Sequence, residues 1–199
     1  MKVLLVEGAP GVGAGAEAEL RAAGHAVVGC EPDDASSPCR GLEPMGECPL
    51  DGGDIDVAVV SRAGGDLAPG ERGALCAARS RIPVVITGNP KHAISFGPGT
   101  HLAGADLAGA VDTAARSGVA HVAAVRRELL ISGVIQPEDV VGDPPSVVFE
   151  VHRDTTRLRL VIRTRDDDPR LPSIVKSAAE ALRHFDQKMP VIDVVTETI

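Results

Sequence analysis

The opening of the chain confines the fold more than any other segment. Val3–Val6 is an unbroken apolar run without polar alternation, as in a strand buried on both faces. Gly8-Ala9-Pro10-Gly11-Val12-Gly13 then makes a turn. Ala16 to Ala23, rich in Ala, Glu, Leu and Arg, predicts a helix that Gly24 can close. Ala26-Val27-Val28 returns as a second apolar strand. Two strands separated by a helix have no tight hairpin to reverse them, so the unit predicts parallel pairing through a right-handed crossover.

The pattern continues. Ile55–Val60 reads as strand three, Pro69 to Arg79 as a helix with Pro in its first turn, and Ile82–Ile86 as strand four. Glu31 to Gly53 carries Pro, Asp, Ser and Gly without helical period and reads as an unusually long ordered loop. Gly88 to Gly99 is irregular. A short strand over Ala93–Phe96 lies too close in sequence to strand four to be its parallel neighbour. Leu102 to Leu130 reads as mostly helical, broken near Gly118, and Asp139 to Pro145 as a linker.

Beyond it, Val147–His152 and Thr156–Arg165 predict a hairpin turning at Asp154-Thr155. Pairing 153 with 156 sets Phe149 opposite Leu160, Val151 opposite Leu158 and Val147 opposite Ile162 on an apolar face. Glu150 then faces Arg159, and His152 faces Arg157, on a charged one. A helix from Pro172 to about Gln187 follows, with Ile174, Val175, Ala178, Leu182 and Phe185 along one side, and Pro190 to Thr196 closes as a strand. The fold class is therefore α/β: a doubly wound parallel sheet over residues 1–117, then a small ββαβ module over 118–199.

Composition excludes several functions. With no Trp or Tyr and only three Phe, the core is aliphatic and platforms for stacking bases are lacking. A net charge of −8 disfavours nucleic acid and anionic membranes. No apolar run approaches a membrane span, and the apolar start is too short for a signal-peptide core. The expected location is the cytoplasm, where the four cysteines are thiols or metal ligands before they are disulfides.

Lys2-Val3-Leu4-Leu5-Val6-Glu7, Leu20 to Val28, Asp56-Val57-Ala58-Val59-Val60 and Pro83-Val84-Val85-Ile86-Thr87 together resemble a response-regulator receiver domain of flavodoxin-like type, over about the first 90 residues. The resemblance implies a Mg²⁺ held by paired acids after strand one, a phosphate-accepting Asp at the end of strand three and a Lys after strand five. Here Glu7 keeps one acid, Gly8 replaces the other, and Ser61 stands at the acceptor position. Thr87 matches the switch hydroxyl, no Lys-Pro follows, and the fourth helix and fifth strand are shortened or lost. The chain thus resembles a pseudo-receiver, which docks without phosphotransfer.

The first turn has two other readings. It misses a P-loop because Ala14-Gly15 stand where Lys and Ser/Thr are required. Gly8, Gly11 and Ala14 also resemble a Rossmann fingerprint, with Gly13 a further cofactor-binding candidate in the turn and Glu31 placed for a ribose hydroxyl, which allows a bound dinucleotide. The dehydrogenase chemistry that needs a catalytic Tyr is excluded.

Cys30, Cys39 and Cys48 recur every nine residues, and Cys76 lies on the helix beside their loop. Four converging thiolates would suit zinc or an iron–sulfur cluster, or serve redox sensing. Arg157, Arg159, Arg163 and Arg165 line one side of the second hairpin strand. They form either a solvated face or a docking face for an acidic protein. No firm cofactor follows. The expected function is non-enzymatic, phosphorylation-independent signalling through protein partners, including self-association.

Overall fold

Val3, Leu4, Leu5 and Val6 are buried at the centre of β1 (Lys2–Glu7), alternately facing the two sides of a sheet. Helix α1 (Ala14–Ala22) leads to β2 (Ala26–Gly29). Strand β3 (Val57–Ser61), α2 (Arg72–Arg79), β4 (Val84–Thr87), β5 (Thr100–Leu102) and α3 (Leu107–Arg116) follow. All pairings are parallel, in the order β2-β1-β3-β4-β5. The computed structural model describes residues 1–30, 39–42, 46–52, 54–92, 94–153, 157–165, 167–187 and 189–199. It divides them into two units, Met1–Ala115 and Arg116–Ile199. No helix among the described residues is long and apolar enough to cross a membrane.

Both faces of the parallel sheet are covered. Leu4, Val6, Ala58, Val60, Val84 and Ile86 pack against Ala74 and Ala77 of α2. Val3, Leu5, Val57, Val59 and Val85 pack against Leu20 of α1 and Leu107, Val111 and Ala114 of α3. Each fully buried Leu, Ile or Val contributes about 1.5–3 kcal/mol, which is why continuous apolar runs mark these strands.

The fifth strand corrects an expectation. It lies at Thr100–Leu102, while residues 94–96 of the expected strand Ala93–Phe96 are not in one, and it pairs with β4 in parallel as Val84↔Thr100, Val85↔His101 and Ile86↔Leu102. Among the described residues the connection contains only a 3-10 turn at Pro90–His92, because a short segment can climb back to the start of the sheet without a full crossover helix. Leu102 accordingly ends a strand, and helix begins at Leu107. Of the loop between β2 and β3, residues 31–38, 43–45 and 53 lie outside the described residues, as do the ribose-binding candidate Glu31 and the expected hairpin turn at 154–155.

In the second unit, α4 (Val119–Ile131) and α5 (Pro137–Val141) precede β6 (Val147–Arg153), β7 (Arg157–Thr164), α6 (Leu171–Phe185) and β8 (Val191–Thr198). The sheet order is β6-β7-β8, with β6 antiparallel and β8 parallel to the central β7. Val147, Phe149, Val151, Leu158, Leu160 and Ile162 form a core with Val125 and Leu129 of α4 and Ile174, Ala178 and Leu182 of α6.

Two expectations change here. The stretch read as a linker, Asp139 to Pro145, opens with the last residues of α5, where Asp139 accepts from the Gln136 N–H at 2.8 Å and binds Arg170 in front of α6. The hairpin register is also shifted by two residues: Phe149 faces Ile162, Val151 faces Leu160, and Val147 faces Thr164. A two-residue slip leaves every side chain on its own face, so alternation alone cannot distinguish the registers. In the observed one, Glu150 faces Val161 and His152 faces Arg159.

Candidate functional site

The carboxyl ends of β1, β3 and β4 form the mouth of the parallel sheet, where ligands of open α/β folds bind. The sheet register sets Glu7 level with Ser61, and Ser61 level with Thr87. The three residues singled out from the receiver resemblance are therefore neighbours in one row. Parallel pairing of three apolar runs makes this alignment, since each run ends on its first polar residue.

The Glu7 side chain curls over the first turn. Its carboxylate accepts the N–H of Gly11 at 3.3 Å and the N–H of Gly13 at the start of α1. These amides are the ones a dinucleotide pyrophosphate would need. An anion from the protein itself already sits there, where unpaired amides and the helix dipole favour negative charge. Ser61 is buried, and its hydroxyl donates to the Val12 carbonyl at 3.0 Å.

Two residues that the sequence reading missed complete the mouth. Arg62, directly after β3, meets Glu71 at 3.1 Å, and the two side chains are only 1% and 0% exposed. The Arg62 guanidinium also donates to the carbonyls of Gly65 at 3.1 Å, Asp66 at 2.8 Å and His92. Glu71, in the 3-10 turn Pro69–Glu71 ahead of α2, reaches back to accept the Ala68 N–H at 3.1 Å. Charge taken from water needs such full pairing. The available signals were an Arg following a buried strand and a Glu in the N3 position of a helical start.

The Glu71 carboxylate stands 2.7 Å from where a Cβ on Gly8 would lie. It fills the space in which the resemblance places the second acid, but its charge is met by Arg62. The residues therefore do not fit a bound Mg²⁺. One carboxylate is committed to backbone amides, the other to a guanidinium, and no carboxylate follows β3.

The cysteines are dispersed. Cys30 is half-buried beneath α2 beside Gly73, Cys48 packs against Gly41, Cys39 is half-buried, and Cys76 is exposed on α2. None forms a disulfide, and among the described residues no three His, Cys, Asp or Glu lie close enough to hold a metal. Of the four cysteines expected to converge, Cys30 turns inward beneath α2 while Cys76 faces solvent.

On the charged face of the second sheet, Arg157 pairs with Asp193 at 3.3 Å, and Arg163 with Glu150 and Glu197, each at 2.8 Å. The partners of Arg163 hold its guanidinium firmly protonated. Glu150 thus meets Arg163, not Arg159 as expected, because of the two-residue shift. Arg159 and Arg165 have no ion-pair partner among the described residues. Acids from β8, invisible to a hairpin-only reading, neutralise half of the row.

Beside the mouth, α2 exposes Leu75 and Cys76, and with Leu67, Phe96, Arg72 and Arg79 it borders a hollow of about 590 Å³. No family model matches this chain, and no curated protein or solved structure matches it.

Proposed function

We propose that this chain is a phosphorylation-independent, non-enzymatic signalling or regulatory protein of the cytoplasm. In this reading an atypical receiver-like, flavodoxin-like domain joined to a ββαβ module acts by protein–protein contact, including self-association. The strand order β2-β1-β3-β4-β5 supports the flavodoxin-like assignment.

The observation that carries the proposal is an exposed apolar face on α2 beside a sheet mouth filled by its own charges. Progress from β3 to β4 to β5 continues in one direction across the sheet. A helical crossover between β4 and β5 would therefore lie on the α2 side. The described residues show only the 3-10 turn there, and Leu67, Leu75 and Phe96 are left along the hollow. Arg72 and Arg79 stand seven residues apart, two helical turns, on the same side of α2. The fitting partner is an amphipathic helix with an apolar stripe and acidic flanks, seated where the missing crossover would run.

Incubation with acetyl phosphate and Mg²⁺, followed by intact mass measurement, tests the first half; the expected result is no phosphoryl adduct. A photocrosslinking residue at position 75, used in cells, tests the second. Crosslinks should reach a helical segment bearing acidic residues and disappear in an Arg72→Glu/Arg79→Glu background. A stable adduct, or crosslinks indifferent to those charges, would overturn the proposal.

A further inference from the structure

Helix α4 has two apolar sides. Val125 and Leu129 face the core of the second unit. Val119, Val122, Ala123 and Arg126, at i, i+3, i+4 and i+7, form a second stripe, joined to the core side at the half-buried Val122, that borders a cleft of about 470 Å³. Its other wall is Phe149, Glu150 and Val151 of β6. This volume is in the range of built ligand sites, ~300–1,000 Å³.

The β6 wall is a sheet edge. β6 pairs with β7 on one side only, and on the other the described residues contribute a single bridge, Ser117 to His152. Every second residue of such a strand turns its N–H and C=O away from its partner strand. Past Gly118 the cleft lies between the helix and the strand.

Arg126 supplies the charge. Its Nε is buried without a hydrogen-bond partner, and no carboxylate among the described residues pairs with the side chain. A buried unpaired guanidinium nitrogen costs stability, which a carboxylate at hydrogen-bond distance would recover. Glu150, on the opposite wall, is already held by Arg163 at 2.8 Å and His152 at 3.2 Å.

We propose that this cleft binds an extended segment of a partner protein as an added strand on β6. Its aliphatic side chains lie against Val119, Val122, Ala123 and Phe149, and an internal Asp or Glu pairs with Arg126. From Val119 to Arg126 the helix advances about 10 Å, the span of about three residues of strand. Main-chain hydrogen bonds to the β6 edge give affinity, and Arg126 selects the acid. The site is formed by residues of the second unit alone.

The test uses the full chain and fluorescein-labelled heptapeptides that alternate valine with threonine, are blocked at both ends, and carry one central Glu or Gln. The Glu peptides should bind saturably and perturb amide resonances of residues 119–126 and 147–151. Replacing Glu by Gln, or Arg126→Gln in the protein, should weaken binding about tenfold or more, the effect of one charge-assisted hydrogen bond. Backbone N-methylation of the peptide and Ala123→Phe should each abolish binding. Equal binding of Glu and Gln peptides, perturbations confined to other residues, or no saturation up to about 1 mM would overturn the proposal.

Discussion

Arg62 and Glu71 lie nine residues apart in sequence and meet at 3.1 Å in the interior of the first unit, with neither side chain reaching solvent. The pair joins the end of β3 to the start of α2 and closes the mouth of the sheet from within. Removing one partner strands the other charge. Glu71→Ala should therefore destabilise the first unit by about 3–5 kcal/mol. Arg62→Met/Glu71→Leu, which strands no charge, should recover part of that loss. Urea unfolding of the three proteins measures both effects. A single mutant as stable as the parent would contradict the burial of the pair.

Glu7 serves the first turn in place of a bound anion. Glu7→Ala should cost about 1.5 kcal/mol, since it removes charge-assisted bonds to the Gly11 and Gly13 amides. It should also uncover those amides, so that inorganic phosphate raises the melting temperature of the variant. For the parent protein, neither phosphate nor NAD should shift the melting temperature.

Asp139 and Asp168 converge on Arg170 at 2.7 and 2.8 Å, which ties α5 and the hairpin end to the start of α6. The Arg170 guanidinium, chiefly through its hydrogen bonds, holds the Asp139 carboxyl far below the usual carboxylate range and lowers that of Asp168 as well. Depressed folded-state values mean that the unfolded chain binds protons first. This contribution is complete above about pH 4, the unfolded value, and is lost as pH falls below it. Arg170 is 38% exposed, so solvent screening limits Arg170→Gln to a loss of about 1 kcal/mol at neutral pH. The loss should shrink toward zero in acid. Equilibrium unfolding from pH 7 down to pH 2 would read that convergence.

Gly118 sits where the backbone of β6 leaves no room. A Cβ there would lie 1.9 Å from the Val151 carbonyl oxygen and 2.5 Å from the Val151 Cβ. Gly118→Ala should destabilise the second unit by about 1–3 kcal/mol through overpacking, and at this N-cap of α4 alanine is also the poorer residue. Hydrogen exchange should show the loss in residues 116–199 and leave 1–115 unchanged.

The sequence alone determined the parallel sheet, because uninterrupted runs such as Val3–Val6 and Val57–Val60 can be satisfied only by cover on both faces. It also determined which face of each hairpin strand is apolar, and that Ser61, at the end of its strand, is not a carboxylate. These are local properties, set by residue type and period. The tertiary structure decided what depends on distance. Alternation of period two is blind to a two-residue slip, so only the packed sheet placed Phe149 opposite Ile162. A chain of Gly and Pro punctuation hid β5, whose existence rests on pairing with β4 and not on its own three residues. Nothing in the segments holding Arg62 and Glu71 shows that the fold removes water from both. The energy of a buried ion pair, like the gathering or scattering of four cysteines, is a property of contacts that no single segment contains.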